Sequence, residues 1–157
     1  MSLEHKLITK PLFLDSDDFP INSLEHMIHG SWQLGVLRFH VFEPEFGCRL
    51  QNKCNSINHK LGVKTVSIDL LSLGDDYRKT SQIMDIIRDS EQPMWVWFVN
   101  CEALNKTSLA GWLRSVLSTY YVEHVRVAFV LDNEKLYKDI FQNYDTPLYE
   151  FTTSLKG

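Results

Sequence analysis

At 157 residues the chain has the size of one ordinary domain, long enough to bury a core without disulfides or metals. Apolar residues make up 44% and charged residues 23%, the balance of a soluble globular protein. With 16 basic against 20 acidic residues the net charge is −4, so no general field draws the chain onto nucleic acid or anionic lipid, and only a local basic patch would do so.

Residues 1–20 carry a short apolar piece, "LITKPLFL", expected to pack as an N-terminal arm or extra strand. Residues 21–157 read as a single α/β domain. "INSLEHMIHGSW" follows Pro20; Asn22 or Ser23 can cap a helix with Leu24, Met27 and Ile28 on one face, and Gly30 suits its end. "LGVLRFHVF" (34–42) is β-rich and apolar on both faces except at Arg38 and His40. After Gly47, Leu50, Cys54, Ile57 and Leu61 recur at helical spacing, and Gly62 closes that helix. "VKTVSIDLL" (63–71) alternates with one apolar face, which predicts a strand near a sheet edge. "YRKTSQIMDIIRDS" is amphipathic, with Ile83, Ile86 and Ile87 as its buried stripe.

"MWVWFVN" (94–100) is apolar on both faces, as a strand inside a sheet covered on both sides should be. Trp95 and Trp97 share one face and read as core, with a partner groove including Trp112 as the alternative. Val96 and Phe98 then fill the other face. "KTSLAGWLRSVLSTYY" is a helix with Leu109, Trp112, Leu113, Leu117 and Tyr120 inward. "HVRVAFVLD" is a further strand, Asp132 or Asn133 caps "EKLYKDIFQNY", and "PLYEFTT" reads as the last strand. The alternating order predicts a three-layer αβα protein with a mainly parallel sheet of about five strands.

Ligands of such sheets usually sit beyond the carboxyl ends of the strands. There, "FEPEFGCRL" (42–50) reads as a rigid acidic strand-to-helix turn, stiffened by Pro44 and bent at Gly47. Aligned on Gly47, a phosphate-gripping G-x-x-x-x-G-K-[ST] loop would need glycine at Phe42, lysine at Cys48 and a hydroxyl at Arg49. Glu43 and Glu45 fall inside it. A carboxylate at ~4 Å from a phosphate oxygen costs about 4 kcal/mol at an effective dielectric near 20. Nucleoside triphosphate binding in the usual way is therefore not expected, and no cofactor is.

The layout nonetheless resembles a P-loop NTPase core of the RecA or AAA/STAND kind that has lost its nucleotide motifs. "INSLEHMIHGSWQLGVLRFHVFEPEFGCRLQNKC" is similar to the opening helix, first strand, loop and first helix of such cores. "MWVWFVNCEAL" stands where the Walker B strand would be, with Asn100 in place of its acid, and "SLAGWLRSVLSTYYVEHVRVAFVLDN" resembles the next helix and sensor strand. SulA-type cell-division inhibitors and inactive STAND modules of bacterial defence systems fit this description. The resemblance implies a P-loop-like topology and a non-catalytic protein that binds a protein partner; the sparse cysteines suit a cytoplasmic setting, and a homodimer is compatible with both. Glu43, Glu45, Arg49 and Glu102 are the candidate partner-binding residues.

The alternative is a Mg²⁺-dependent nuclease or phosphohydrolase. Glu43, Asp69, Glu102 and Asp132 would gather at the carboxyl ends of the strands, where hard cations favour carboxylate oxygens. Helix capping alone also explains Asp132.

The remaining constellations are weaker. Cys48, Cys54 and His59 lack the spacing of a zinc motif and read as core fillers for the thiols. Three cysteines make no disulfide framework and suit a reduced compartment. No apolar run approaches the roughly 18 residues of a bilayer span, and "MSLEHKLITK" does not read as a signal peptide. His40 reads as a core or edge histidine, and "RLQNKCNSINHK", with Arg49, Lys53 and Lys60, as a solvated helix face.

Overall fold

The computed structural model describes residues 23–79, 81–89, 91–119 and 122–155, with the backbone alone for 43–48 and 119. The expected arm at 1–20, the Asn22 alternative cap and Tyr120 lie outside the described residues. The chain runs α1 (Leu24–Leu34), β1 (Arg38–Phe42), α2 (Glu43–Lys60), β2 (Lys64–Asp69), α3 (Ser81–Arg88), β3 (Met94–Val99), α4 (Thr107–Thr119), β4 (Val125–Leu131), α5 (Glu134–Phe141) and β5 (Thr153–Ser154). Two 3-10 segments, Leu70–Lys79 and Cys101–Asn105, follow β2 and β3.

All strand pairs are parallel, in the order β2-β3-β4-β1-β5. This is the expected five-stranded three-layer α/β architecture, with β2 at an edge and β3 inside. Side chains alternate across the pleat. Phe39, Val41, Trp95, Trp97, Ala128 and Val130 meet α1 and α2 on one face. Val96, Phe98, Val127, Phe129 and Leu131 meet α3, α4 and α5 on the other. Trp95 and Trp97 are core, as expected; Trp112 lies across the sheet from them, tilted against Tyr77 with ring centroids 5.3 Å apart.

Several boundaries differ from expectation. Helix α1 does not end at Gly30. Ser23 caps it by accepting from His26 N–H, and it runs on to Gly35, whose left-handed φ of 73° closes it. Buried Ser31 and Trp32 offset the modest penalty of an interior glycine. Strand β2 stops at Asp69, because Leu70, Leu73 and Tyr77 bury themselves from a 3-10 path kinked at Gly74 (φ 59°). Helix α3 accordingly begins only at Ser81, with Ile83 and Ile87 buried and Ile86 half-buried. "PLYE" forms turns, which moves the last strand to Thr153–Ser154. No helix among the described residues is long and apolar enough to cross a membrane.

One polar group breaks the apolar face of β4. Arg126 is 1% exposed. Its Nε donates to Ser31 O at the closing turn of α1 (3.0 Å), its Nη1 donates to Glu123 O (2.7 Å) and Val125 O (3.1 Å), and its guanidinium lies 4.2 Å from the centre of a Trp32 ring. Burial pushes its pKa down to about 10, so it stays charged near neutrality.

Candidate functional site

The crossover after β1 is α2, on one face of the sheet; the crossover after β4 is α5, on the other. Strands β1 and β4 are neighbours, so the crevice between their carboxyl ends is the topological switch point. Its geometry departs from the expected turn. Helix α2 begins at Glu43, directly after Phe42 closes β1. "FEPEFG" is therefore not a bent connector. Pro44 in the first turn suits helical φ, and Glu43 and Glu45 occupy a first turn whose free N–H groups favour negative charge. Gly47 consequently lies within the helix. No length of irregular chain is left there to curl around a phosphate. Tyr137 also covers the end of β1, edge-to-face with Phe42 (ring centroids 5.8 Å) and stacked on His40 (4.4 Å).

The candidate acids fall in three separate places. Asp69 Oδ1 accepts from Leu71 N–H (2.9 Å) and from Asn100 Nδ2 (2.8 Å), so it caps the following 3-10 turn and links the ends of β2 and β3. Asn100 adopts the left-handed conformation that asparagine tolerates (φ 55°). Glu102 and Asp132 instead line one open hollow of about 200 Å³, with Asn133, Lys135 and Asp139. Asn133 is the residue that caps α5, by accepting from Leu136 N–H, which leaves the exposed Asp132 free of that duty. Glu43 sits at the start of α2, beside β1. Among the described residues no group of three or more His, Cys, Asp or Glu converges as a metal site.

Arg49, Lys53 and Lys60 are exposed along α2, a solvated face as expected. Cys54 is buried beneath Asn58, whose Nδ2 donates to Cys54 O (3.1 Å), whereas His59 is exposed. Burial pushes the Cys54 and Cys101 thiols far above their ordinary range, so neither is a ready nucleophile.

One contact is invisible in the sequence because its partners lie 112 residues apart: His40 Nδ1 and Thr152 Oγ1 share a hydrogen bond of 2.8 Å. His40 is 4% exposed, and burial lowers its pKa to about 4. That is too weak a base for proton abstraction near neutrality. It predicts an acid-sensitive fold instead. An imidazole with an ordinary pKa of 6.5 when unfolded and about 4 when folded favours the native state in its neutral form. The contribution is complete above about pH 6.5 and is lost as pH falls through about 4, up to about 3 kcal/mol in all. Urea melts at pH 7 and pH 4.5 should show a larger loss for the wild type than for His40→Phe; equal losses would assign the acid sensitivity elsewhere.

No protein-family model matches the chain, and no curated protein matches it in sequence. Among solved structures it is similar to the Orc1 protein of Aeropyrum pernix, determined in complex with DNA, at 10% identity and a TM-score of 0.47. The likeness takes in 95% of this chain and 48% of the Orc1 chain, so the chain spans about half the length of that protein.

Proposed function

We propose that this is a non-enzymatic regulatory or adaptor protein, a P-loop-like α/β domain that does not use nucleotide and acts by presenting its acidic carboxyl edge to a basic surface on a protein partner. The observation that carries the reading is the direct passage of β1 into α2, which removes the loop a phosphate would need. Tyr137 and Phe42 fill the crevice a nucleotide would otherwise enter. Glu102 and Asp132 border an open hollow at the same edge, and Glu43 and Glu45 begin the adjoining helix. Charges so placed steer encounter and select partners more than they hold them. This behaviour, in a bacterial cytoplasm, is that of the SulA-type inhibitors and inactive STAND modules the sequence resembles.

The second reading, a Mg²⁺-dependent nuclease or phosphohydrolase, draws support from the shared hollow of Glu102 and Asp132. Titration separates the two. Calorimetry with Mg·ATP should give no binding heat, and Mg²⁺ or Mn²⁺ should leave the melting temperature unchanged. Micromolar nucleotide binding would overturn the first reading, and a metal-dependent rise in melting temperature would favour the second. For the partner surface, Glu102→Lys/Asp132→Lys is the cleaner reversal. Glu43→Lys/Glu45→Lys also opposes the α2 dipole, by about 0.3–1 kcal/mol per residue. Once a partner is in hand, the Glu102/Asp132 reversal should slow association and flatten its salt dependence. Unchanged association would remove the rim from the interface.

A further inference from the structure

A second hollow, of about 410 Å³, opens between the end of α5 and the segment leading into β5, lined by Tyr137, Phe141, Gln142, Tyr149, Glu150 and Thr152. Lys135 and Asp139 face the first hollow, Tyr137 and Phe141 the second, and positions two apart on a helix point about 200° from one another. The two hollows therefore lie on different sides of α5 and share no lining residue. The second stands on its own residues, independent of the acidic-rim reading.

Its volume falls within the roughly 300–1,000 Å³ of small-ligand sites. Its chemistry is that of two phenols, an amide, a hydroxyl and one carboxylate. Among the described residues Glu150 is the single formal charge in that lining. The ion pairs among the described residues are Lys106–Asp75 and Lys135–Asp139, and neither involves Glu150. The neighbouring Glu150 carboxylate raises the pKa of the Tyr149 phenol, so the two side chains stand close together in the lining.

The backbone is fixed at the same place. Glu150 holds φ 53°, sparsely populated for a residue with a Cβ, while its N–H donates to Phe141 O (2.8 Å) and Phe151 N–H donates to Leu148 O (3.1 Å). Thr152 is anchored from behind by His40. Two arginines lie near the hollow, and one of them, Arg114, also donates through Nη1 to the backbone carbonyl of Tyr149 (3.4 Å). Arg38 lies 4.0 Å and Arg114 4.9 Å from the centre of the Phe151 ring. Their guanidiniums donate to backbone, Arg38 Nε to Phe151 O (3.2 Å) and Arg114 Nη1 to Pro147 O (2.8 Å).

We propose that this hollow receives an organic cation bearing N–H donors, a guanidinium or ammonium at the end of an aliphatic stem. Glu150 is its counter-charge, Tyr137 and Tyr149 are its aromatic walls, and Gln142 and Thr152 supply further acceptors. An anion would meet the carboxylate, and an apolar ligand would strand the polar lining without partners. A cation satisfies both the charge and the acceptors, and gains from the aromatic faces.

The test uses the full chain, isotope-labelled, with N-acetyl-arginine amide and N-acetyl-lysine amide as probes and N-acetyl-citrulline amide as the neutral control. Amide resonances of Gln142 and 149–152 should shift with the two cationic probes and not with citrulline. Glu150→Gln should weaken that binding at least about tenfold with an unchanged melting temperature, as expected for loss of one charge-assisted contact. Glu102→Lys/Asp132→Lys should leave it intact, so failure here and failure of the acidic rim are told apart. An arginine-centred pentapeptide that binds more tightly than the capped residue assigns the site to a protein side chain; equal binding assigns it to a free small cation. Equal shifts with citrulline, no shift up to the solubility of the probes, or indifference to Glu150→Gln would overturn the proposal.

Discussion

Replacing Phe98 by alanine is expected to destabilise the protein by about 3–5 kcal/mol, a large share of the stability of a domain this size. Phe98 lies in β3, paired on one side with Ile68 of β2 and on the other with Phe129 of β4. It is 1% exposed, and its ring stacks on Phe129 with centroids 5.2 Å apart. Truncation removes the whole ring from the face packed under α3 and α4. A void of about 10 Å³ already borders Phe98 among Ile83, Ile87 and Val127, and the new cavity would join it. The sheet backbone is held on both sides, so it has little freedom to collapse into the space. Urea unfolding should show a lower midpoint with an unchanged slope. A loss smaller than about 1 kcal/mol would mean that β3 is not an interior strand.

Arg126 should rank its substitutions in an order that charge alone would not suggest. Arg126→Ala is expected to cost about 3 kcal/mol, from lost hydrogen bonds and the cavity under Trp32. Arg126→Lys should cost at least as much. It keeps a buried charge, yet a single ammonium cannot reach Ser31 O, Glu123 O and Val125 O with the geometry of the guanidinium, nor stack as well on Trp32. Arg126→Met fills the volume and removes the desolvated charge, so it should stay closest to wild type. Melting temperatures of the three variants test this order. A lysine variant as stable as wild type, with methionine the least stable, would show that the positive charge itself holds α1 to the sheet.

Much of the framework is legible in the sequence because burial imposes a period. Leu50, Cys54 and Ile57 are buried along one side of α2 and Leu61 is buried at its C-cap, and the two-faced apolar run of β3 is interior. Gly62 does close α2, with φ 78°. What escapes the pattern is short or long in range. Gly30 carries the same local signal as Gly35, and only the packing of Trp32 beyond it decides which one ends α1. The direct passage from Phe42 into Glu43 was hidden because glycine and proline signal turns, while here proline occupies the first turn of a helix. At the site, the sequence places Asp69, Glu102 and Asp132 at strand ends, but not that Asp69 is taken up by Asn100 while the other two share a hollow. The hollow with Glu150 joins α5 to the approach to β5 through a left-handed residue, and no periodicity announces that.

The strand order has a consequence for how the chain can assemble. Strand β4 lies between β3 and β1, although β1 comes first in the chain and β4 fourth. As the polypeptide is made, β2 and β3 can zip together once both have emerged. Strand β1, with its apolar Phe39 and Val41, has no permanent neighbour until residues 125–131 arrive to fill the slot. Until then both β1 and the inner edge of β3 expose unpaired backbone beside apolar side chains, the state in which nascent chains are most prone to sticking. Strand β4 is thus the keystone of the sheet: its insertion is the step that joins the β2-β3 pair to β1.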